Sequence, residues 1–315
     1  MLLFGPTGVG KTGLLFSLQE RLRVKNSIAI EIISADSMQV YKGMDIGTAK
    51  PTKEEMSLLP HWCIDICFPD TQFDVGDFIR CSDQIIPEIL RRGAIPVISG
   101  GTAFYFKHFI FGLPSTPEVT EDIRLLVKGI HEKYGNGGCM EILKTVDPVT
   151  ADRIHINDTY RILRALEVFY STGMPLSSYK IPDTARNQYD PVIFGLERPR
   201  KELYERIDER VDAMFDTGLA DEVKTLTEKG YSSASPGMKG IGYREFFKDG
   251  TYYSADSDRI RELIKRNTRR YAKRQITFFN SLDNVTWLSA DDDKKLVEYL
   301  ALQIIRMHEN YSSSG

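Results

Sequence analysis

Short apolar runs alternate along the chain with longer segments in which apolar residues recur every three or four positions. The runs predict β-strands at Met1–Phe4, Ile28–Ile33, Trp62–Ile66, Ile95–Ser99, Pro191–Glu197 and Val285–Leu288. The periodic segments predict helices at Lys11–Arg23, Val75–Arg92, Thr102–Phe111, Lys201–Asp216, Ala220–Lys229 and Asp256–Ser281. Alternating strands and helices favour an α/β fold, with a parallel sheet covered on both faces and ligands beyond its carboxyl edge.

One stretch interrupts this alternation. From Pro114 to Gln188 the pattern is helical and contains no convincing strand. We therefore predict a core at residues 1–113, a helical insertion domain at 114–188, and the second part of the core at 189–315. An inserted lobe of this kind often closes over or recognises a second substrate. The alternative is an insertion with no role in substrate binding.

The first predicted strand is followed by the string GPTGVGKT, which fits the phosphate-loop pattern G-x-x-x-x-G-K-[ST]. The residues expected to bind a diphosphate are Gly5, Pro6, Thr7, Gly8, Val9, Gly10, Lys11 and Thr12. Lys11 would reach the outermost phosphate, and the Thr12 hydroxyl would ligate magnesium. These features predict a P-loop NTPase-like parallel sheet core with an inserted all-helical domain. Kinases, hydrolases and diphosphate-releasing transferases all use such a loop.

The loop after the second predicted strand begins Ser34-Ala35-Asp36. Asp36 lies just beyond the strand end, on the same rim as the phosphate loop. Its carboxylate could ligate magnesium, cap a turn or helix, or accept a proton. Gln39 and Tyr41 supply an amide and an aromatic face suited to reading a base, or they are ordinary loop residues.

The fourth predicted strand ends in Ser99-Gly100-Gly101-Thr102. A nucleotide hydrolase commonly places an acidic metal ligand at such a strand end, so this string counts against an ATPase. The glycines would let another molecule approach the backbone closely. Tight packing of a helix on the strand explains them almost as well.

Positive charge is concentrated on one predicted helix. It carries Lys265, Arg266, Arg269, Arg270, Lys273 and Arg274 at three- and four-residue steps. This density favours contact with a nucleic acid or phosphate over a solvated face. Arg210 could clamp a diphosphate bidentately or form a surface ion pair. Arg161 and Arg164 could likewise contact phosphates or lie on a solvated helix face.

The composition is ordinary for a globular protein: 315 residues, 42% hydrophobic and 27% charged, with a net charge of −3. Any surface that binds a polyanion must therefore be local. No apolar run approaches the roughly 20 residues of a membrane span, and the N-terminus lacks the pattern of an export signal. The cysteines Cys63, Cys67, Cys81 and Cys139 lack paired metal spacing and are expected to be buried thiols. We expect a cytoplasmic monomer.

Several strings occur together and in a set order: GPTGVGKT, ADSMQVYKGMDIGTAKP, HWCIDI, GGTAFYFK, RIHINDTYRILRALEVFYSTGMPLS, GMKGIGYRE and NTRRYAKRQITFF. With these strings the chain resembles the bacterial tRNA dimethylallyltransferase (tRNA isopentenyltransferase) family from end to end. The resemblance implies transfer of a dimethylallyl group from dimethylallyl diphosphate to the exocyclic N6 amine of the adenosine 3′-adjacent to the anticodon. It also implies that the phosphate loop binds the diphosphate of the prenyl donor rather than ATP used for energy.

The resemblance further implies roles for single residues. Asp36 would be the general base, with Thr12 and Arg210 assisting at the diphosphate and Mg²⁺ as the cofactor. The residues implied to contact the tRNA anticodon stem-loop are Asp36, Ser37, Met38, Gln39, Thr102, Arg124, Tyr160, Arg161, Arg164, Lys239, Arg244, Arg269 and Arg270.

Three other functions fit parts of the pattern. A small-molecule kinase would consume ATP and would need a lid arginine rather than a long helical lobe. A prenyltransferase acting on free adenine nucleotides would have no use for the lobe or the basic helix. A non-catalytic RNA-binding protein could use a nucleotide as a switch.

Overall fold

The computed structural model describes residues 1–182, 184–186, 188–254 and 256–313. The chain forms two compact units, the first made of Met1–Phe109 with Gln188–Gly315 and the second of Ile110–Asn187. The expected borders followed residues 113 and 188, whereas the units divide after residues 109 and 187. The border after residue 109 lies in the last turn of the helix Ala103–Phe111. This helix ends at Gly112, where φ is +85°.

Parallel strands form the sheet of the first unit. They are β1 (Leu2–Phe4), β2 (Ile30–Ala35), β3 (His61–Trp62), β4 (Ile95–Gly100), β5 (Ile193–Glu197) and β8 (Thr286–Ser289). The strands β6 (Phe247–Lys248) and β7 (Thr251–Tyr252) pair with each other in a separate antiparallel ribbon. The sheet order is β3-β2-β4-β1-β5-β8. Gly100 of β4 lies opposite both Phe4 and Ala35. The carboxyl ends of β1, β2 and β4 are therefore adjacent, and the loops that follow them meet at one edge.

The helices are α1 (Lys11–Asn26), α2 (Lys53–Leu58), α3 (Val75–Arg91), α4 (Ala103–Phe111), α5 (Glu121–Val146), α6 (Pro148–Ala151), α7 (Thr159–Thr172), α8 (Arg200–Asp216), α9 (Leu219–Glu228), α10 (Ser257–Phe279) and α11 (Asp293–Ser313). The six predicted helices correspond to α1, α3, α4, α8, α9 and α10. The sequence analysis missed α11, whose Leu300 and Ile304 are buried in the same core as Leu18 and Leu22 of α1. Within the described residues, no helix is long and apolar enough to cross a membrane.

The strand predicted at Trp62–Ile66 is wrong beyond its first residue. Cys63 and Asp65 have φ of +61° and +54°, a left-handed conformation in which an extended strand cannot continue. The apolar run is instead a turn, and Lys50 forms an ion pair with Asp65 at 2.5 Å. This ion pair ties the turn to the loop that follows β2.

The second unit is helical. Its described residues, 110–182 and 184–186, contain α5 to α7 and no strand, as the pattern predicts. Gly135 breaks the path of α5, with φ +61° and ψ −173°. The carboxylate of Asp158 accepts the backbone N–H of Arg161 and caps the N-terminus of α7. The core of this unit is formed by Val127, Cys139, Met140, Leu143, Ile162, Ala165 and Leu166.

Candidate active site

The phosphate loop, residues 5–12, connects β1 to α1 at the carboxyl edge of the sheet. Gly8 and Gly10 have φ of +83° and +111°, where other L-residues are strained. These two turns direct the loop into the N-terminus of α1, which is the positive end of the helix dipole. The predicted anion cradle therefore has its strand, its glycine turns and its helix in place.

Lys11 folds back onto the loop. Its Nζ donates hydrogen bonds to the carbonyl oxygens of Gly5 (2.7 Å) and Pro6 (3.0 Å). Burial and, to a lesser extent, the positive charge of Arg210 together lower the pKa of Lys11 to about 7, and the negative charge of Asp36 opposes the shift. These charged side chains therefore lie close enough to influence one another.

Two adjoining cavities surround these groups. The first, of about 520 Å³, is lined among others by Thr7, Gly8, Gly10, Lys11, Thr12, Gln39, Gly101, Arg206, Glu209 and Gln275. The second, of about 280 Å³, is lined among others by Ser37, Met38, Thr48, Lys239, Arg244 and Arg274. The residues that line both are Thr7, Asp36, Arg210 and Tyr271. The shared wall thus carries one carboxylate, one guanidinium and one phenol.

Asp36 caps a turn, which is one of the three roles that the sequence left open for it. Its Oδ1 accepts the backbone N–H groups of Met38 (2.9 Å) and Gln39 (3.4 Å), so the carboxylate does cap the turn after β2. Among the described residues, none donates a hydrogen bond to its Oδ2. Since Asp36 lines both cavities, that second oxygen is available to accept a proton from a ligand.

Thr102 supports the loop around Asp36, and Tyr271 lines the same two cavities as that carboxylate. Thr102 Oγ1 accepts the backbone N–H of Ser37 (2.9 Å), and its own backbone N–H donates to the carbonyl of Ala35 (3.1 Å). Burial, with the negative charge of Asp36, raises the pKa of Tyr271 to about 12. The phenol is therefore protonated at neutral pH and remains a hydrogen-bond donor beside the carboxylate.

Gln275 is a site residue that the sequence analysis missed. This buried side chain of α10 accepts the backbone N–H of Thr7 (2.9 Å) and donates to the carbonyl of Gly101 (2.7 Å). A Cβ at Gly101 would lie 2.4 Å from the Gln275 amide nitrogen, and one at Gly100 would lie 2.1 Å from the backbone of β2. Internal packing therefore accounts for both glycines. The signal for Gln275 that the sequence offered was a polar residue at a buried position of the predicted helix.

Arg206 and Arg210 lie one turn apart on α8 and both line the first cavity. Arg206 Nε donates to the carbonyl of Gly8 (2.9 Å), which holds its guanidinium over the phosphate loop. Arg210 Nη2 donates to the carbonyl of Thr48 (3.4 Å). No carboxylate in the described part of the chain is within ion-pair distance of Arg210, which argues against the surface ion pair. The sequence analysis assigned no role to Arg206.

The sequence model of the family described as IPP transferase matches residues 39–282. The chain is also 42% identical over 289 residues to tRNA dimethylallyltransferase 1 of Pelobacter propionicus, with 91% of each chain covered. The chain belongs to the IPP transferase family. The resemblance inferred from the motifs is thereby confirmed.

Solved structures agree with this membership of the IPP transferase family. The tRNA isopentenylpyrophosphate transferase of Bacillus halodurans is 36% identical, with a TM-score of 0.68 over 99% of this chain and 97% of that chain. A eukaryotic dimethylallyltransferase acting on tRNA is 26% identical, with a TM-score of 0.74 over 99% of this chain and 79% of that chain. The α/β fold expected from the sequence is shared with both.

The basic helix α10 of this IPP transferase family member has two unequal faces. Lys265 forms an ion pair with Asp212 (2.7 Å), and Arg269 forms one with Asp208, so both are partly neutralised by α8. The cationic side chains of α10 that are exposed and form no ion pair among the described residues are Arg259, Arg266, Arg270, Lys273 and Arg274. The positive stripe is therefore narrower than the sequence indicates.

The helical unit of this family member carries the other expected tRNA contacts. Arg124 pairs with Glu121 (3.4 Å), and Arg161 with Asp158 (2.9 Å), both at the surface. Arg164, half-buried, pairs with Glu167 at 3.4 Å. Tyr160 is 76% exposed. Exposed aromatic faces of this kind can stack on unpaired bases.

The first cavity contains few side-chain oxygens that could bind magnesium, and their number favours one mode of binding. Thr12 supplies an exposed hydroxyl at the start of α1, and Asp36 and Glu209 are the carboxylates of the lining. Within the described residues, no three His, Cys, Asp or Glu side chains converge on a point. Mg²⁺ is commonly held by one or two protein groups together with phosphate oxygens and water. These residues fit that mode of binding rather than an all-protein cage.

The cysteines are thiols, as expected. Cys63 and Cys139 are buried, whereas Cys67 and Cys81 are half-buried. Cys63 and Cys81 lie 3.5 Å apart between their sulfur atoms and hydrogen bond to each other. Neither lines either of the two cavities, and Cys139 lies in the core of the helical unit.

Proposed function

We propose that this chain transfers a dimethylallyl group from dimethylallyl diphosphate to the exocyclic N6 amine of the adenosine 3′-adjacent to the anticodon of tRNA, releasing diphosphate. The names of its relatives support this reaction. The observation that carries the proposal is the position of Asp36. Its carboxylate stands in the wall between a cavity at the phosphate loop and a second cavity rimmed by cationic side chains.

The first cavity suits the diphosphate of the donor. The allylic carbon–oxygen bond breaks with partial positive charge on carbon, and the departing oxygen becomes negative. Lys11, Arg210 and the N-terminus of α1 line the space in which that charge would develop. Arg206 adds a further guanidinium at the mouth of the loop. These groups would stabilise the leaving group, with Lys11 turning from the loop carbonyls toward the diphosphate.

Magnesium fits beside these residues. Thr12 would hold it together with oxygens of the diphosphate, and Mg²⁺ would neutralise part of the leaving-group charge. Thr12 lies in the first turn of α1, whose backbone is held in place by the buried Leu14 and Leu15. The Thr12 hydroxyl would orient the diphosphate in the cavity.

Asp36 would act on the adenosine. The lone pair of the N6 amine is delocalised into the ring, which makes the amine a poor nucleophile. A carboxylate that removes its proton as the carbon–nitrogen bond forms contributes about 10²- to 10⁴-fold in rate. Because Oδ1 is held by two backbone N–H groups, Oδ2 would point at a fixed place in the shared space.

The nucleic acid would approach through the second cavity. Lys239, Arg244 and Arg274 line it, and the exposed side chains of Arg270 and Lys273 extend the positive surface along α10. The target adenosine must leave its stack to reach Asp36, which costs little in a single-stranded loop. The helical unit, with Tyr160 and its arginines, would recognise the rest of the anticodon stem-loop. Because its substrate is tRNA, we place the enzyme in the cytoplasm.

One assay tests the reaction. The protein is incubated with unmodified tRNA, Mg²⁺ and labelled dimethylallyl diphosphate, and a parallel sample receives ATP. Label in the tRNA at the adenosine after the anticodon is expected. Label in free adenine nucleotides only would support the nucleotide prenyltransferase, and ATP consumption would support a kinase. If the protein neither transfers the label nor consumes ATP, the result would support the non-catalytic RNA-binding protein.

A further inference from the structure

Glu222 lies on α9 and lines neither cavity, yet its carboxylate is fully engaged with the loop that follows β2. Its Oε2 accepts the backbone N–H groups of Asp45 (2.9 Å) and Ile46 (2.7 Å). Its Oε1 accepts the N–H of Gly47 (3.1 Å) and the hydroxyl of Tyr243 (2.7 Å). Hydrogen bonds to an ionised group are about twice as strong as neutral ones. One side chain therefore fixes three consecutive residues of the loop.

The surroundings of Glu222 leave this loop segment little freedom. Tyr243 is fully buried, and its ring packs so closely on Gly47 that a Cβ there would lie 2.6 Å from the ring. Burial, with the negative charge of Glu222, raises the pKa of Tyr243 well above its usual range. The phenol therefore remains a donor to the carboxylate. Residues 45–47 are therefore held by hydrogen bonds to the Glu222 carboxylate and by the packing of Gly47 against the Tyr243 ring.

The next residue connects this anchor to the reaction. The carbonyl oxygen of Thr48, which directly follows Gly47, accepts Arg210 Nη2 (3.4 Å) and Gln39 Nε2 (3.3 Å). Arg210 lines both cavities. Among the described residues, the Thr48 carbonyl is the group that accepts a hydrogen bond from the Arg210 guanidinium. A displacement of the segment held by Glu222 would therefore move the oxygen that orients Arg210.

We propose that Glu222 is a positioning residue for the transfer reaction. It holds residues 45–47 so that the Thr48 carbonyl directs the Arg210 guanidinium toward the donor diphosphate. The proposal rests on the proposed function for the identity of that ligand. Glu222→Gln is the sharpest variant, because it keeps the shape of the side chain. It replaces one acceptor oxygen by an N–H group that faces backbone N–H donors, and a buried unpaired donor is costly.

The test is a double-mutant cycle read by binding of inorganic diphosphate, measured by calorimetry in the presence of Mg²⁺. Glu222→Gln is made alone and together with Arg210→Ala. With Arg210 present, we expect diphosphate affinity to fall roughly tenfold, since small misplacements of a positioned group have large effects. With Arg210 absent, we expect a change of less than about twofold. An equal loss in both backgrounds, or no loss in either, would overturn the proposal.

A matched control comes from the same helix. Glu228 is exposed and forms only a long ion pair with Lys224 (3.9 Å), so Glu228→Gln should leave diphosphate affinity unchanged. Thermal unfolding of each variant establishes that it is folded at the temperature of the assay. If Glu222→Gln does not fold, Glu222→Asp replaces it in the cycle, because that change keeps the charge but shortens its reach.

The binding cycle needs no tRNA, so its result is separate from that of the transfer assay. An unaltered protein that binds diphosphate but puts no label into tRNA counts against the proposed function alone. An additive cycle in a protein that does transfer the label counts against the role of Glu222 alone. In the active protein, single-turnover transfer should show the same coupling between Glu222 and Arg210 as the binding measurement does.

Discussion

The side-chain carbonyl of Gln275 accepts the backbone N–H of Thr7 at 2.9 Å and so joins α10 to the phosphate loop. The amide of the same side chain donates to the carbonyl of Gly101, at the end of β4. One buried side chain thus connects three of the segments that line the first cavity. The helix that carries the basic stripe is thereby coupled directly to the loop proposed to bind the donor.

Gln275→Leu should weaken donor binding and lower stability together. The substitution leaves the Thr7 N–H and the Gly101 carbonyl without their partner, and each unsatisfied buried group costs about 1–3 kcal/mol. We expect a lower midpoint of thermal unfolding and a KM for dimethylallyl diphosphate raised several-fold. Gly101→Ala should act in the same direction, because its Cβ would displace the Gln275 amide. Unchanged KM in both variants would show that this connection has no part in donor binding.

Asp36→Asn should separate the chemical role of Asp36 from its role as a cap. Asparagine keeps an oxygen that can accept the N–H groups of Met38 and Gln39 but cannot take a proton at neutral pH. We expect single-turnover transfer to fall by about 10²- to 10⁴-fold, with tRNA affinity close to that of the unaltered protein. Asp36→Ala should lose the cap as well and should weaken tRNA binding more than Asp36→Asn does. Near-normal turnover in either variant would remove Asp36 from the chemistry.

Local patterns predicted much of this molecule. The phosphate loop, the position of Asp36 after β2 and most helices were predictable because each depends on residues that are neighbours in sequence. The helical unit was predictable for the same reason, since its pattern lacks strands. The roles of Thr12, Asp36 and Arg210 stay predictions, supported by the cavity in which they meet.

Features that depend on distant partners could not be predicted in this way. Gln275 binds a backbone group 268 positions away, and Glu222 binds one 175 positions away. Glu222 lies outside every string that carries the resemblance, and Gln275 lies within NTRRYAKRQITFF, where the basic residues attract attention. The turn at Cys63 was missed because an apolar run is compatible with a strand until the backbone φ is known. The ion pair of Arg269 with Asp208 is likewise invisible in a one-dimensional count of charges.

Lys11 should make diphosphate binding depend on pH. Its pKa in the free protein is about 7, so above pH 7 the amine is mostly neutral, whereas a bound diphosphate favours the ammonium form. Binding should therefore take up a proton, and affinity should fall by up to about tenfold per pH unit above 7. Calorimetry at pH 8 in two buffers with different ionisation enthalpies measures this uptake. Lys11→Met should lack it, and equal heats in both buffers for the unaltered protein would contradict the prediction.

The same pKa has a consequence for stability in the absence of ligand. The pKa of Lys11 is lower in the folded protein than in the unfolded chain, where it is near its usual 10.5. Between these values the unfolded state binds more protons, so the free energy of unfolding should rise with pH across that window. The difference in unfolding free energy between the unaltered protein and Lys11→Met should therefore increase from pH 7 to pH 10. Urea titrations at several pH values measure it.

The exposed face of α10 should govern the salt dependence of tRNA binding. Arg266 and Arg270 are exposed, whereas Arg269 on the same helix is paired with Asp208. Each phosphate contact contributes about 0.7 to 0.9 to the slope of log affinity against log salt. We expect Arg266→Ala with Arg270→Ala to reduce that slope by about 1.5, because two contacts are lost. Filter binding of unmodified tRNA at several salt concentrations measures the slope.

Arg269→Ala is compared with Arg270→Ala alone, because each variant removes one charge and the two positions are adjacent. Asp208 already neutralises Arg269, so its loss should change the slope less and should lower the midpoint of thermal unfolding more. The two faces of α10 would then have different roles, the outer one in binding tRNA and the inner one in packing on α8. An unaltered slope in the double variant at the outer face would make that face a solvated surface and would leave the second cavity and the helical unit to bind the tRNA.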